Sequence, residues 1–149
     1  MASADCNCAA LRQASRFVSR LYDEALAPAG LGINQYSVLA RLNRLGPLVM
    51  QDLARALVMD RSTLGHLLRP LEKRGLVQLA ICADARCRLV SLTPDGGALL
   101  VEARPLWMAA QAAFERQFGS AEAATLREAL AAVVTLPAPL RATLPARHD

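Results

Sequence analysis

Ser62, Thr63, His66, Arg69 and Lys73 place two hydroxyls, an imidazole, a guanidinium and an ammonium within twelve residues. At 100° per residue, Ser62, His66, Arg69 and Lys73 fall on one side of a helix, and Leu64, Leu67, Leu68 and Leu71 on the other. A polar face of this kind can hydrogen-bond base edges and pair with phosphates, as a helix lying in a major groove must. Taken alone, a solvated amphipathic helix with a basic surface would have the same pattern. Asp60 fixes the start of the helix at Arg61, because its carboxylate can accept a free backbone N–H from Ser62 or Thr63 at the positive end of the dipole. Gly75 follows Arg74 and ends it.

A second charged group lies downstream. Leu76 to Ile81 and Leu89 to Leu92 read as two short strands, and the loop between them carries Asp84, Arg86 and Arg88. A hairpin tip with two arginines can reach phosphates or enter a narrow minor groove beside the site of the basic helix. Upstream, Met50 to Leu57 forms a preceding helix whose Leu53, Ala54 and Leu57 can pack on the leucine face of the next. The short break Val58, Met59, Asp60 suits a helix-turn-helix. From Pro47 to Thr93 the chain therefore reads as a helix-turn-helix followed by a β-hairpin wing.

The run Asp60-Arg61-Ser62-Thr63-Leu64, then Leu71-Glu72-Lys73-Arg74-Gly75-Leu76-Val77, then Asp84-x-Arg86 followed by Val90-Ser91-Leu92-Thr93-Pro94-x-Gly96, resembles the MarR family of bacterial winged-helix transcription regulators. The resemblance covers nearly the whole chain in element order. It departs from the family at Ala85, where arginine is frequent, and at Pro70 inside the basic helix, which removes an N–H, crowds the His66 carbonyl and predicts a bend. The resemblance implies a mainly α fold with a small β-hairpin wing: a winged helix-turn-helix plus a terminal-helix dimerisation module. It implies a homodimer on double-stranded DNA, more often a repressor than an activator, released by a small and often aromatic or phenolic effector. Arg61, Ser62, Thr63, His66, Arg69, Lys73, Asp84, Arg86 and Arg88 are then the DNA-binding candidates.

Other helices must hold this region. Cys8 or Ala9 to Leu26 carries a stripe of Leu11, Ala14, Val18, Leu21 and Ala25, with Arg20 placed to meet Glu24. Asn34 can cap a second helix that runs to about Leu45, where Gly46-Pro47 breaks it. Thr93-Pro94-Asp95 is a strong helix start, with Thr as N-cap, Pro in the first turn and an acid beside it. That helix can reach Phe118 with a kink at Pro105, and a last helix runs from Ala121 to about Thr135 after Gly119-Ser120. A single domain over 1–149 results, with dimerisation helices at about 8–30 and 94–136 around a winged-helix region at about 34–93.

Composition narrows the function classes. The chain has 149 residues and a formal charge of +4, and 54% of it is hydrophobic with only 4% aromatic, so leucine and alanine must fill most of the core. Between Arg41 and Arg88 there are nine basic residues against four acids, while the remainder carries eight against nine. A positive centre on a near-neutral frame fits a polyanion-binding surface. The two histidines, His66 and His148, have no Cys or acid at ligand spacing, and no phosphate-binding glycine loop or nucleophile elbow occurs. Catalysis, a metal and a cofactor are not expected. No signal peptide or membrane span is visible, so a cytoplasmic protein with cysteines as thiols is expected.

Reception of a signal has two candidate sites. Arg16, Phe17, Arg20, Tyr36 and Trp107 can line an effector pocket, together with Tyr22 and Phe114, or be ordinary core and ion-paired surface. Cys6 and Cys8 precede the first helix, whose dipole stabilises a thiolate, and Cys82 and Cys87 bracket the hairpin loop and could face each other across it. Each pair can equally be inert. A thiol-based redox regulator on the same fold, or a helical interaction protein that does not bind DNA, are the alternative readings.

Overall fold

The computed structural model describes residues 6–84 and 87–136. Helix α1 (Asn7–Leu26) leads through a 3-10 turn (Ala27–Ala29) to α2 (Ile33–Leu45), then β1 (Leu48–Val49), α3 (Met50–Ala56) and α4 (Arg61–Lys73). The chain continues through β2 (Val77–Ile81), β3 (Arg88–Leu92), α5 (Pro94–Phe118) and α6 (Ser120–Val134). Residues up to Gln111 form one compact unit and those from Ala112 another.

In the first unit, the leucine periodicity of α4 becomes packing: Leu64, Leu68 and Leu71 are buried, joined by Leu26, Val38, Leu39, Leu42, Leu53 and Val90. Each such side chain taken from water contributes about 1.5–3 kcal/mol before chain entropy is counted. Leu67, expected on the same face, is only half-buried at its edge. Pro70 lies inside α4, and the helix continues past it to Lys73.

The sheet has three antiparallel strands in the order β1-β3-β2. β2 and β3 form the expected hairpin, with Val77 opposite Leu92 and Ile81 opposite Arg88. β1 was not expected; its Leu48 and Val49 pair with Val90 and Leu89 and make β3 the central strand. Two residues are too short to show a period of two, so their pattern carried no signal.

The start of α2 also differs from the sequence reading. Its N-cap is Gly32, and Asn34 is an exposed residue of the first turn. The free N–H groups are taken from elsewhere: Ile33 N donates to Asp23 Oδ1 of α1 at 2.7 Å, and Gly32 N to Gln35 Oε1 at 3.1 Å. A carboxylate from the neighbouring helix does the capping, which ties α1 to α2 as well. The expected Arg20–Glu24 pair is not among the ion pairs of the described residues, which are Arg55–Asp52 and Arg127–Glu115.

The start of α5 follows expectation and explains one motif residue. Thr93 Oγ1 accepts from Gly96 N at 3.0 Å and donates to the Gly75 carbonyl at 2.6 Å, while Thr93 N donates to the Leu76 carbonyl at 3.1 Å. A Cβ on Gly96 would stand 2.0 Å from the Leu76 carbonyl oxygen. Only glycine lets the first turn of α5 lie this close to the strand that follows α4. Helix α5 then continues through Pro105 to Phe118.

In the second unit, Arg127 donates to Glu115 Oε1 at 3.0 Å and Phe114 packs on Phe118 with ring centroids 5.3 Å apart. Gly119 occupies the N-cap of α6, and the helix begins at Ser120, one residue before the expected Ala121. Leu130, Val133 and Val134 of α6 are exposed in the single chain.

Candidate nucleic-acid interface

Asp60 sets the N-terminus of α4 as its sequence position requires. Oδ1 accepts the backbone N–H of Thr63 at 2.8 Å and Oδ2 accepts the Thr63 hydroxyl at 2.7 Å. These hydrogen bonds, the backbone one foremost, hold the Asp60 carboxyl below its ordinary value. Thr63 is therefore a partner of the cap, with only its oxygen lone pairs left for another molecule. Beyond the cap, Arg61, Ser62, His66, Arg69 and Lys73 are all exposed while the leucines opposite are buried. The helix offers a hydroxyl, an imidazole, a guanidinium and an ammonium along one solvent-facing stripe, the chemistry that reads base edges and phosphates.

Arg74, the next cation in sequence, does something else. Its Nη1 donates to the Gly30 carbonyl at 2.7 Å and ties the end of α4 to the turn before α2. Of the consecutive pair Lys73 and Arg74, the structure engages the second in an intramolecular contact.

In the wing, Arg88 opens β3 and its Nη1 donates to the Cys87 carbonyl at 3.2 Å, so it is half-buried against the backbone of the hairpin. Asp84 is exposed, and its carbonyl accepts from Cys87 N at 2.9 Å. Arg86 lies outside the described residues. Cys82 and Cys87, expected as thiols, are joined as a disulfide with Cα atoms 5.3 Å apart. They follow the Ile81–Arg88 pair directly in the hairpin register, and Cys82 N donates to the Cys87 carbonyl at 3.3 Å. Register decides whether two such cysteines meet, and register cannot be read from the residues alone. A cleft of about 280 Å³, lined by Val49, Met50, Gln51, Arg61, Asp84, Cys87 and Arg88, separates the wing from the start of α4.

A larger cleft, of about 510 Å³, adjoins the α3–α4 turn. Tyr36 and Trp107 line it with their rings stacked, centroids 6.0 Å apart and planes 10° from parallel. Burial raises the Tyr36 hydroxyl above its ordinary value, against the opposing pull of Arg104. The other pocket candidates are elsewhere: Arg16, Phe17 and Arg20 are exposed on α1, with Phe17 68% accessible. Asn34, Ser37, Ala40, Arg41 and Arg44 of α2 and Ala56 to Met59 at the end of α3 and in the turn complete the lining instead. Sequence reasoning missed them because the cleft draws on three separate elements, and no local spacing marks such convergence. Tyr22, the remaining aromatic of this unit, is buried, donates its hydroxyl to Gln111 Oε1 and has its ring 6.5 Å from that of Trp107.

Cys6 is the N-cap residue of α1 and Cys8 lies in its first turn; both are exposed free thiols. Among the described residues no group of His, Cys, Asp and Glu is arranged to hold a metal ion, and no helix is long and apolar enough to cross a membrane.

Comparison with known proteins agrees with this geometry. The model of the MarR family matches residues 31–86, a range that begins at the end of the α1–α2 connection and takes in α2 to β2. The uncharacterized HTH-type transcriptional regulator YwoH of Bacillus subtilis is 32% identical over 85 residues, 57% of this chain; the match spans 62% of that protein's length. The M. tuberculosis transcriptional regulator MosR, solved in complex with DNA, is 35% identical, with 87% of this chain and 98% of that one covered at a TM-score of 0.72. Bordetella bronchiseptica BpsR, whose DNA binding is regulated by 6-hydroxynicotinic acid, is 25% identical, with 89% and 96% covered at a TM-score of 0.79. With a mainly helical fold, a three-stranded wing sheet and these relatives, the chain belongs to the MarR family of transcriptional regulators.

Proposed function

We propose that the protein is a sequence-specific DNA-binding transcription regulator of the cytoplasm, a homodimer that represses from a pseudo-palindromic operator and is released by a small aromatic or phenolic effector. The observation that carries the reading is α4: its polar stripe is exposed from Ser62 to Lys73 while its leucines are buried beneath. In a dimer, two such helices would enter successive major grooves, with Ser62, His66 and Arg69 toward bases, Arg61 and Lys73 toward phosphates, and the wing on flanking DNA. Arg86 belongs to this wing contact by sequence. The DNA complex of MosR supports the mode of action, and the exposed apolar residues of α6 support a second subunit. Support for an effector comes from the cleft at Tyr36 and Trp107, with Arg41 and Arg44 to meet an anion, and from the regulation of BpsR by a small aromatic acid.

Selection of duplexes from a random pool, followed by affinity measurements across salt concentrations, tests this. A preferred palindromic site should emerge, with log affinity falling linearly in log salt. Arg69→Ala should weaken binding to that site by about 1–3 kcal/mol and relax preference at one base position. Unchanged affinity and unchanged preference would remove Arg69 from the readout; no enriched duplex at all would remove the function.

A further inference from the structure

The Cys82–Cys87 bridge is poorly placed to hold the fold together. It closes a loop of only six residues at the end of a hairpin that five register pairs and the Cys82 N to Cys87 O bond already close. Of the buried residues of the sheet, Val77 lies at the far end of β2 and Val90 at mid-strand opposite Leu79, so neither adjoins the bridge. A short loop closed by an existing ladder gains little global stability from a covalent link. Its position relative to charge is more telling. Cys87 lines the 280 Å³ cleft with Arg61 on one side and Arg88 and Asp84 on the other, and Arg88 is held by a hydrogen bond to the carbonyl of Cys87 itself. The bridge therefore sits on the piece of backbone that sets the spacing of a cation on the basic helix from a cation on the wing. Both cysteines are half-buried, and Ala83 and Asp84 beside them are exposed, so a small thiol has a path to the sulfurs.

We infer that the Cys82–Cys87 pair is a reversible redox switch of the wing, whose closed state fixes the Arg61–Arg88 cleft in the shape that receives a DNA phosphate and whose open state loosens it. This rests on the DNA-binding reading above and assigns the redox response to the wing rather than to Cys6 and Cys8. Opening needs a dithiol reductant: its thiolate attacks one sulfur to give a mixed disulfide, its second thiol closes on the first, and the wing gains two electrons and two protons as two thiols. Closing needs a hydroperoxide: one cysteine thiolate takes an oxygen and becomes a sulfenic acid while the peroxide leaves as an alcohol or water. The other thiol then attacks that sulfur, expelling water and restoring the bridge. Since the ladder persists in the open state, the loss is confined to the placement of Arg88 relative to Arg61 and amounts to roughly 3- to 10-fold in DNA affinity.

The test uses full-length protein carrying Cys6→Ser and Cys8→Ser, and a fluorescent duplex selected by that protein from random DNA. Alkylation and mass measurement count the free thiols before and after treatment with dithiothreitol, and affinity for the duplex is measured in both states. The expected result is no alkylation before reduction, two alkyl groups after it, a 3- to 10-fold weaker affinity on opening, and recovery with peroxide. Adding Cys82→Ser and Cys87→Ser should give a protein with the open-state affinity and no response to either reagent. Equal or tighter binding in the open state overturns the inference, as does a pair that alkylates fully without reductant. If the protein selects and binds no duplex in either state, the DNA-binding reading fails first and takes the switch with it.

Discussion

At its C-terminal end α4 stops on Gly75 at φ +70°, while the turn that delivers its N-terminal end passes through Val58 at φ +54°. The hydrogen bonding of the two stops is the same. Gly75 N reaches the Glu72 carbonyl and Leu76 N the Leu71 carbonyl, both at 2.9 Å; Val58 N reaches that of Arg55 at 3.1 Å and Met59 N that of Ala54 at 2.9 Å. Both are left-handed helix stops of the Schellman kind, but one uses glycine and the other a β-branched residue that is 73% exposed. The C-terminal stop is further fastened by Arg74 to Gly30 and by Thr93 to Gly75. The N-terminal side has an exposed aspartate cap and a strained turn, and that turn lines the larger cleft. The difference makes the C-terminal end of α4 the natural pivot and leaves the end bearing Ser62 the less firmly held of the two.

The comparison can be broken most forcefully at the pivot. Gly96→Ala drives a methyl into the Leu76 carbonyl, and about 3 kcal/mol of unfolding free energy should be lost in urea titration, with α4 itself untouched in sequence. A loss below 1 kcal/mol would mean that the junction yields easily and is no pivot. At the strained turn the effect should be smaller and of opposite sign. Val58→Gly relieves about 1–3 kcal/mol of left-handed strain and costs about 0.5–1 kcal/mol in chain entropy, so the variant should be more stable than wild type by up to roughly 1–2 kcal/mol. A less stable variant would show that Val58 is not strained.

The smallest effect concerns the aspartate cap and its pH dependence. Folding holds the Asp60 carboxyl below its ordinary value, so the folded chain binds fewer protons there than the unfolded one. Its contribution is complete above the ordinary carboxylate range and is lost as pH falls through the lowered value. Asp60→Asn keeps an acceptor but removes the charge, so its melting temperature should lie slightly below wild type at neutral pH and converge with it in acid. A constant gap from neutral to acid pH would deny the charge any part in the cap.

The buried face of α4 and two of the helix starts were legible in the residues. Leu64, Leu68 and Leu71 declared a buried face because their spacing matches the helical period, and Asp60 and Thr93 declared helix starts because a cap acts on a residue three further along. What escaped depends on partners distant in sequence. Asp23 caps a helix ten residues on, β1 is visible only through the strand it pairs with, and Arg41 and Arg44 meet Trp107 only after three elements have packed. The Cys82–Cys87 bond is an intermediate case. The residues offered it, and the hairpin register decided it.

The stacked pair in the larger cleft also gives the molecule an optical reporter. Trp107 is the sole tryptophan of the 149 residues, and its indole lies against Tyr36 in the cleft lining, with Tyr22 close enough to pass on excitation energy. Nearly all emission excited at the red edge of the absorption band therefore originates at one known place, beside the α3–α4 turn. Quenching or a spectral shift on adding a small molecule would register occupancy of the cleft directly, in unlabelled protein and without knowledge of the operator.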